Sequence, residues 1–525
     1  MEEAGADFLK NEEGAIAPLY ALVLTALIAV GGIAFDYSRL AAMDTELQNA
    51  ADQAALAAAS QLDGQGGAIL RATSAANNLV ANETRFANDG NVAGRNVTIA
   101  NITFLSCESD DCRADRTRAN MTELPGTADD DAIARFVEVT VGGRQAFYAL
   151  TPIVNAFSSG NIDATALAGL GSAVCRVPPV MFCNPNEPTT GPTGGDFDAD
   201  LYAGAGLRLI SGDTNFPGNF GFLDNGSVTN NANSTPDLAR ALGHDTPPGN
   251  CTSIDDVGLR PGQREVVFNA LNTRFDINTN GANTCPSGDI CSSAQNSRKD
   301  VVRRNQCGIN NNGWNESANP YRPTLLTPLT GGFPDIMGHP RDICHAISFD
   351  GSCDGNGDGI TGDMLGNKLW DRDAYFRVNY GHTTRAAWQS ATGLGNDATR
   401  YDVYQWELEN PPASTQSVGG GRNGHNSPVC LPPAPATIPD RRRVAAAVVN
   451  CREQAARGND TVRVLKWVDL FLVEPSFNRF RGSGPTRTRV TADDQVYVEV
   501  IGETRFAGGG PDNQIIRRDV PYLIE

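Results

Sequence analysis

An uncharged apolar run near the N-terminus places the strongest constraint on how this chain can fold. Residues 15–35 contain no Asp, Glu, Lys or Arg and are mostly Ala, Leu, Val and Ile. At about 1.5 Å per residue, a helix of this length crosses the roughly 30 Å hydrocarbon core of a bilayer once. The rest of the chain is polar, so we predict a single-pass membrane anchor followed by a large soluble body.

A second helical pattern continues directly from this run. After Asp36, apolar residues recur every three or four positions and polar residues fall between them. The apolar positions are Leu40, Met43, Leu47, Ala51, Ala54, Ala58 and Leu62. Because this stripe is narrow and rich in alanine, it suits close packing against a partner or against the chain's own globular part. For the soluble half alone, an ordinary core helix is an equally good interpretation.

A cleaved signal peptide is the alternative to a permanent anchor. The tripeptide Gly32-Ile33-Ala34 has the small-x-small form of a cleavage site. A cleavable apolar region normally runs about 7 to 15 residues. The run here is longer, which favours a retained anchor, and either interpretation exports the residues that follow it.

Three short features occur in order along the predicted anchor and its helical continuation. They are Gly14, then Phe35-Asp36-Tyr37-Ser38-Arg39, and then Leu47-Gln48-Asn49-Ala50-Ala51-Asp52-Gln53-Ala54-Ala55-Leu56-Ala57-Ala58-Ala59. In combination they resemble the N-terminal segment of TadG-like proteins of the Flp (tight adherence) pilus assembly machinery. The resemblance implies a membrane-anchored component of pilus assembly or adhesion, whose partners are other pilus assembly or pilin-like subunits.

Two features of related proteins are missing from the sequence. Type IV-like prepilins place a Glu five residues after the processed Gly, whereas position 19 is Leu, so we expect permanent anchoring without prepilin processing. Many TadG-like proteins also carry a von Willebrand A domain, whose metal site needs Asp-x-Ser-x-Ser. That pentapeptide does not occur in the sequence, and we assign no such domain.

The cysteines, rather than the basic residues, indicate the topology. Lys10 precedes the apolar run and Arg39 follows it, so the basic residues flanking the run are balanced. All twelve cysteines lie beyond the run. Disulfides persist in the periplasm and outside the cell. We therefore expect residues 1–14 in the cytoplasm, residues 15–35 in the bacterial inner membrane, and the bulk of the chain in the periplasm or at the cell surface.

Close spacing predicts several short disulfide loops. The predicted pairs are Cys107–Cys112, Cys175–Cys183, Cys285–Cys291, Cys344–Cys353, Cys251–Cys307 and Cys430–Cys451. The last two pairs simply combine the remaining four cysteines, since connectivity does not follow from sequence. Zinc is disfavoured, because structural zinc needs four converging ligands and Cys344-His345 is the only adjacent Cys/His pair.

Length and turn-rich segments predict the domain organisation. At 525 residues there is room for two to three domains. We expect a membrane-proximal helical stalk and small sheet at 36–183, a Pro/Gly/Thr-rich linker at 184–195, and a larger β-rich, disulfide-stapled domain with insertions at 196–525. Within the last, we expect a strand at 401–407, a helix at 441–456 and a final strand at 514–523 that completes the central sheet. The fold class is therefore α+β.

One motif predicts a calcium ion. Asp354-x-Asn356-x-Asp358-Gly359 reproduces the first half of a calcium loop, in which oxygen side chains at alternate positions converge on a hard cation. The carbonyl of Ile360 and the carboxylate of Asp363 are expected to complete the ligand set, because Leu occupies the usual position of the bidentate acid. A Gly-rich turn with solvated carboxylates is the alternative. We expect a structural ion, since a Cys344–Cys353 bridge pins the loop.

Charge and missing motifs narrow the range of functions. The net charge is −19 and the basic residues are dispersed, which argues against nucleic acid as a partner. The sequence has no Gly-x-Ser-x-Gly, no His-Glu-x-x-His and no P-loop motif, so we expect no enzymatic activity and no small-molecule substrate. Catalytic carboxylates need not be close in sequence, so an anchored extracytoplasmic hydrolase or cell-envelope binding protein is the alternative to a pilus assembly component.

Overall fold

The computed structural model describes most of the chain. The described residues are 16–63, 66–79, 86, 97–107, 112, 117–131, 133–148, 159–175, 180–188, 195–211, 219–223, 235–244, 251–253, 257–260, 265–278, 291–355, 357, 359, 362–435, 440–456, 461–482, 484–504 and 516–524. They form two compact units. Unit 1 comprises Met1–Ser172 and Asp519–Glu525, and unit 2 comprises Ala173–Arg518. Unit 2 is thus inserted, in chain order, before the last strand of unit 1.

Eight α-helices occur among the described residues. Their bounds are α1 Ile16–Ala59, α2 Ala68–Leu79, α3 Thr235–Gly243, α4 Glu265–Asn272, α5 Ile343–Ala346, α6 Arg372–Tyr380, α7 Arg385–Thr392 and α8 Arg400–Glu409.

Twenty strands occur among the same residues. Their bounds are β1 Ile99–Ser106, β2 Thr122–Glu123, β3 Phe136–Phe147, β4 Ser159–Cys175, β5 Val180–Cys183, β6 Gly206–Ser211, β7 Asn219–Leu223, β8 Cys251–Ser253, β9 Val257–Arg260, β10 Val301–Arg303, β11 Trp314–Glu316, β12 Thr415–Gly419, β13 Arg422–His425, β14 Arg443–Val449, β15 Thr461–Val462, β16 Lys466–Glu474, β17 Arg479–Arg481, β18 Thr488–Thr491, β19 Gln495–Glu503 and β20 Ile516–Ile524. Together with the long N-terminal helix and the disulfides, they confirm the predicted α+β fold class.

Unit 1 packs half of one long helix on a sheet. The strand order is β2-β1-β3-β4-β20. The alanine stripe of α1 lies on one face of this sheet, where Val137, Val139 and Val141 of β3 point toward it at the two-residue period of a strand. Small side chains on both surfaces let the helix and the sheet approach closely. The stripe therefore packs against the chain's own globular part, which was one of the two predicted arrangements.

The core of unit 2 is a closed ring of six strands. Successive neighbours are β5, β14, β16, β19, β6 and β7, and the pairing of β7 with both β6 and β5 closes the ring. The pairs β5–β14 and β6–β7 are parallel, and the other neighbours are antiparallel. Alternate residues of each strand form one continuous apolar cluster, as in Val444, Ala446 and Val448 of β14. This alternation is what a ring filled by its own side chains requires.

Two further features surround this ring. A four-stranded sheet of order β11-β10-β13-β12 lies in the same unit. Helices α6 to α8 enclose a second aromatic cluster that includes Trp370, Tyr375, Phe376 and Trp388. Helix α8 packs on the outside of the ring, where Tyr404 meets Phe471 of β16 at a ring-centroid distance of 5.0 Å.

Two predicted elements have the opposite secondary structure. The predicted strand at 401–407 is helix α8, because Thr399 and Asp402 form a capping box that starts a helix despite the aromatic residues that follow. The predicted helix at 441–456 contains strand β14. Its alanines and valines are buried on both faces, and such a continuous apolar run does not reveal its period.

The last strand also lies elsewhere than predicted. Strand β20 extends the sheet of unit 1 next to β4 and does not complete the central sheet. Its Tyr522 packs beside Gly169 and Gly171 of β4, where an added Cβ would lie 3.3 Å from the Tyr522 ring. A long-range strand pairing of this kind is decided by side-chain fit, which local sequence does not report.

Two of the predicted disulfides are confirmed and three are wrong. Cys107–Cys112 and Cys344–Cys353 are bonded as predicted. Cys183 is bonded to Cys451, and Cys307 is bonded to Cys430. These bonds exclude the predicted pairs Cys175–Cys183, Cys251–Cys307 and Cys430–Cys451. Cys285 lies outside the described residues, so its pairing with Cys291 stays a prediction.

The ring explains one of these corrections. Strands β5 and β14 are parallel neighbours, with Val449 opposite Cys183 in the register. Cys451, two residues beyond Val449, therefore reaches Cys183 across a sequence separation of 268 residues. Proximity in sequence missed this bond because the strands come together only when the ring closes.

Candidate functional site

Helix α1 divides into two halves with different surroundings. It contains 44 residues and is about 66 Å long at 1.5 Å per residue. Its C-terminal half buries Met43, Leu47 and the alanines of the stripe in the core of unit 1. Its N-terminal half projects large apolar side chains outward, and Leu22, Leu27 and Val30 are 71%, 64% and 67% exposed. The same helix thus contributes one half to the core of unit 1 and exposes the large apolar side chains of its other half.

The apolar half carries few groups that a bilayer would penalise. The backbone of a helix satisfies its own hydrogen bonds, which is required in hydrocarbon. The Thr25 hydroxyl donates to the carbonyl of Ala21 at 2.8 Å, so this polar side chain is also satisfied within the helix. Pro18 lies in the first turn, where the missing N–H costs no helical hydrogen bond. Among the described residues, α1 is the helix that is long and apolar enough to cross a membrane.

Polar contacts link α1, α2 and the sheet within unit 1. The Gln48 amide donates to the carbonyl of Thr165 in β4 at 3.3 Å. At the other end of the packed half, Arg71 of α2 pairs with Asp63 at 2.7 Å. The carboxylate of Asp131 accepts hydrogen bonds from the amides of Ile69 and Gly67 at the start of α2. These amides hold the pKa of Asp131 below its usual range.

The predicted calcium loop is described only in part. Asn356, Asp358 and Ile360 lie outside the described residues. The Asp354 carboxylate accepts from the amide of Gly359 at 3.1 Å, and the Asp363 carboxylate accepts from the amide of Gly355 at 2.8 Å. Gly359 has φ of 85°, a conformation that side chains other than glycine rarely adopt. The two described acids therefore close the loop on itself, and its metal affinity stays a prediction.

Both ends of this loop are anchored, and His345 links the loop to the six-stranded ring. The Cys344–Cys353 disulfide fixes its start, and the amides of Gly362 and Asp363 donate to the carbonyl of Cys353. His345 donates from Nε2 to the carbonyl of Asp363 at 2.8 Å and accepts at Nδ1 from the Tyr497 hydroxyl at 2.9 Å. Burial lowers the pKa of His345 to about 4, so its imidazole is neutral at neutral pH.

A trio of side chains with metal-ligating atoms lies at the same place. Atoms of Cys344, His345 and Cys353 lie within 4.8 Å of one another. The disulfide removes both thiolates, and both ring nitrogens of His345 are already hydrogen-bonded. This trio therefore anchors the loop through a covalent bond and hydrogen bonds.

Unit 2 also contains a small cavity between buried ion pairs. Its volume is about 30 Å³, and Asp300, Arg341, Glu474 and Arg479 line it. Arg479 donates to both oxygens of Asp300 at 2.6 and 2.8 Å, and Arg341 donates to Glu474 at 2.8 Å. Paired charges therefore line this cavity.

Comparison with known proteins finds a family match for the N-terminal segment. Residues 14–61 match the family model described as putative Flp pilus-assembly TadE/G-like. The match spans the apolar run and the alanine-rich half of α1, which are the residues that carry the resemblance found in the sequence, and it supports a role in Flp pilus assembly. Neither the curated proteins nor the solved structures searched contain a match to this chain.

The structure adds residues that sequence reasoning missed. His345 and Tyr497 tether the predicted calcium loop, and Cys451 closes onto Cys183. For the cysteines a signal did exist, because each follows an apolar run. Cys183 follows its run directly, and Cys451 follows residues 444–449 with Asn450 between. Nothing in the local sequence of His345 indicates its two hydrogen bonds.

Proposed function

We propose that this chain is a membrane-anchored extracytoplasmic component of the Flp pilus assembly machinery that acts through protein–protein contacts. The observation that carries the proposal is the division of α1. One half is uncovered and apolar over a bilayer's thickness, and the other half is built into the core of unit 1. The family match of residues 14–61 covers both halves of this same helix.

The disulfides support the proposed location of the body. Four disulfides join described cysteines, all of them beyond the apolar half of α1. Such bonds persist in oxidising compartments and are reduced in the cytoplasm. This supports placement of both units on the periplasmic side of the inner membrane, with the first residues in the cytoplasm.

A role without catalysis is part of the proposal. The family match concerns pilus assembly. The proposed partners are other pilus assembly or pilin-like subunits and the inner membrane. No observation favours the hydrolase or envelope-binding alternative.

Topology is tested first, with reporter fusions. Alkaline phosphatase, which is active only in the periplasm, should be active when fused after residue 70 or at Glu525. A cytoplasmic reporter should be inactive at the same two positions. Activity of the cytoplasmic reporter at both positions would contradict the proposed location.

Function is tested by complementation in cells that lack the chain. Leu24→Arg combined with Leu27→Arg places two charges in the middle of the apolar half, each costing about 2.5–3.5 kcal/mol on insertion scales. We expect this variant to lose membrane retention and pilus assembly. The matched control Leu24→Ala with Leu27→Ala should retain both. Normal pili in cells that lack the chain altogether would overturn the proposal.

A further inference from the structure

Arg341 is a buried cation of unit 2 whose hydrogen bonds are incomplete. It is 4% exposed, and its Nε donates to the Glu474 carboxylate at 2.8 Å. Its Nη1 is also buried and has no hydrogen-bond partner within the part of the chain that the structure describes. A guanidinium has five N–H donors, and a buried donor left unbonded is destabilising. Arg341 therefore indicates an acceptor that the protein chain itself does not supply.

The cavity described above lies at this side chain. Arg341 lines it, and its volume of about 30 Å³ exceeds the roughly 10–15 Å³ that one bound water needs. A small ligand therefore has room beside the guanidinium. Met337, Ala346 and Val490 form an apolar part of the wall. Such surroundings strengthen the attraction between a cation and an anion, because they screen charge less than water does.

The other charged groups of the cavity wall are engaged with one another. Arg479 donates to both oxygens of Asp300 and, at 3.2 Å, to Oε1 of Glu474. The same oxygen of Glu474 accepts from Arg341, so one carboxylate oxygen serves two arginines. Among the residues described in the cavity wall, Arg341 is the one left with a buried, unbonded side-chain donor.

A second buried cation lies near Arg341. Arg208 is 3% exposed and donates to the backbone carbonyls of Phe349 and Asp350, which are uncharged acceptors. Burial, and next the charge of Arg341, lower the pKa of Arg208 to about 10. The Asp350 carboxylate opposes this effect, but by less than Arg341 contributes to it. An anion beside Arg341 would offset this repulsion, whereas a neutral water molecule would not.

The acid that follows Arg341 in the chain is already bound elsewhere. The Asp342 carboxylate accepts from Arg400 and, at 3.2 and 2.9 Å, from the amides of Gly206 and Lys368. These contacts direct it to the start of β6 and to α8. Its negative charge is therefore shared with another buried arginine, and the unbonded Nη1 of Arg341 stays available to a ligand.

We propose that the cavity at Arg341 binds one small monovalent anion with the size and charge of chloride. The Arg341 guanidinium supplies the N–H donors, and the anion is the acceptor for Nη1. Hydrogen bonds between an ion and a charged donor are stronger than neutral ones, and a buried position strengthens them further. Because a ligand that binds only the folded chain favours folding, the anion stabilises unit 2. This site is independent of the proposed role in pilus assembly.

Bromide locates the anion directly, because it has the charge of chloride and scatters anomalously. Crystals of the full-length protein in detergent are grown in sodium bromide, and anomalous differences are measured at the bromine absorption edge. We expect a peak inside the cavity beside Arg341. A water molecule in the cavity without bromide would overturn the proposal. Bromide at the protein surface alone would also overturn it, because that result would mean an adventitious ion only.

Unfolding equilibria test the binding in solution. Urea unfolding of the full-length protein in detergent is followed by fluorescence of the tryptophans, all of which lie in unit 2. Chloride replaces the much larger gluconate at constant ionic strength. The equilibrium constant for unfolding should fall as chloride rises, by about tenfold when chloride is ten times its dissociation constant. An equilibrium constant that does not depend on chloride would overturn the proposal.

A variant of the cavity wall assigns this effect to one side chain. Arg341→Met removes the guanidinium, while Glu474 keeps Arg479 as its cation. The chloride dependence of unfolding should disappear in this variant. The measured quantity is the change that chloride causes in one protein, so the general cost of losing an arginine cancels. Chloride dependence retained in Arg341→Met would overturn the assignment.

Arg322→Met is the matched control. Arg322 lines the same cavity, but its nitrogens donate to Glu316 and to two backbone carbonyls. The chloride dependence should therefore persist in this variant, and its equal loss in both variants would contradict a site at Arg341. If either variant fails to fold, the bromide map and the wild-type chloride titration decide the question.

Discussion

The cores of the two units of this chain differ in composition. Unit 1 packs alanines of α1 against valines and alanines of β3 and β4, and the cluster between α1 and the sheet contains one aromatic ring, Phe104. Unit 2 fills its ring with large side chains and buries whole ionic groups. Six arginines of the described part of unit 2 are fully buried, namely Arg274, Arg298, Arg400, Arg441, Arg442 and Arg479.

The buried arginines of unit 2 have definite structural partners. Arg274 donates to the carbonyl of Leu242, and Arg441 donates to those of Gly243 and His244, so both satisfy the C-terminal end of α3. Arg400 pairs with Asp342 and, at 2.7 Å, with Glu499. Glu499 also accepts from the amides of Arg400 and Tyr401, so one carboxylate of β19 fixes the start of α8.

The difference in core composition indicates which interactions specify the fold of each unit. Close packing of small apolar groups is tolerant of exchange as long as volume is kept, so unit 1 depends on shape. Removing the partner of a buried charge is strongly destabilising. Each buried ionic group of unit 2 therefore disfavours folded arrangements in which it would lack its partner. We infer that substitutions in unit 2 divide sharply into severe and harmless, whereas those in unit 1 scale with the volume changed.

A convenient reporter exists for only one of the units. All five tryptophans, Trp314, Trp370, Trp388, Trp406 and Trp467, lie in unit 2. Denaturant unfolding followed by tryptophan fluorescence therefore reads unit 2 alone. Hydrogen exchange measured by mass spectrometry on peptides of α1, α2 and β3 reads unit 1. Both measurements apply to the full-length protein in detergent.

The largest effect is expected at Arg400. Arg400→Met leaves Asp342 and Glu499 buried without their cation, which should lower the free energy of unfolding of unit 2 by about 3–5 kcal/mol. The matched control is Arg385→Met, because Arg385 makes a half-exposed pair with Asp373 and should cost less than about 1 kcal/mol. Equal losses of unfolding free energy in both variants, measured by tryptophan fluorescence, would contradict the larger cost expected for breaking a buried ion pair of unit 2.

The second effect concerns the long-range disulfide. Replacing Cys183 and Cys451 by serine frees two neighbouring strands of the ring, and losing such a bond typically costs about 2–5 kcal/mol. The control pair is Cys107 and Cys112 in unit 1, whose replacement by serine should leave the tryptophan-monitored transition in place. Non-reducing peptide mapping checks the connectivity directly. A peptide that joins Cys175 to Cys183 would contradict the structure.

A third effect tests shape dependence in unit 1. Ala54→Leu adds volume between α1 and the sheet, and overpacking of this kind costs about 1–3 kcal/mol. Hydrogen exchange should accelerate in α1 and β3, with tryptophan fluorescence unchanged. Ala57→Leu, on the part of α1 outside this core cluster, is the control and should have little effect. If both variants behave alike, close packing of the alanine stripe does not stabilise unit 1.

A fourth, smaller effect is expected at Asp131 and depends on pH. Its carboxylate is stabilised by the amides at the start of α2, so Asp131→Asn should make exchange in α2 roughly fivefold faster at pH 7, as for the loss of one helix cap. Because the folded pKa is lowered, this stabilisation is complete above the pKa of an unfolded Asp and is lost as the pH falls through the folded value. Wild type and variant should therefore converge in strong acid. A difference that persists there would mean that the charge is not responsible.

The smallest effect is calcium binding at the 354–363 loop. With three carboxylates, binding in the range of about 10⁻⁴ to 10⁻³ M is expected, so 1 mM calcium should stabilise unit 2 by about 0.4–1.4 kcal/mol. Thermal melting with calcium and with chelator measures this shift, and Asp354→Ala or Asp358→Ala should remove it. No shift in the wild type would return the loop to an ordinary Gly-rich turn, and unit 1 should be unaffected in every case.

The N-terminal helix shows which structural features can be predicted from the periodicity of the sequence. The uncharged run and the alanine stripe specify one continuous helix, its apolar half and its packing face, because each is a repeat within a few turns. What lies on the stripe was open in the sequence, since small residues suit a partner helix and a sheet equally. The valines of β3 settle that choice only when the strand is placed beside the helix.

Local signals in unit 2 were less decisive. The predicted strand at 401–407 is a helix, because its capping box outweighs the strand preference of the aromatic residues. The predicted helix at 441–456 contains a strand, because burial on both faces hides the two-residue period. The first half of the calcium motif can be recognised from the sequence, since its oxygen atoms recur at alternate positions, and calcium binding stays a prediction. Its tether through His345 could not, because the partners Asp363 and Tyr497 are 18 and 152 residues away.

What the sequence determined by itself is whatever is encoded within a few turns of chain: the membrane-length helix, its amphipathic continuation, the short disulfides Cys107–Cys112 and Cys344–Cys353, and the acidic loop. Only the tertiary structure decided the closure of the ring, the bond between Cys183 and Cys451, and the return of β20 to unit 1. The physical reason is that these pairings join segments far apart in the chain. Their free energy depends on side-chain fit and on the partners available to buried charges, and neither is expressed in local composition.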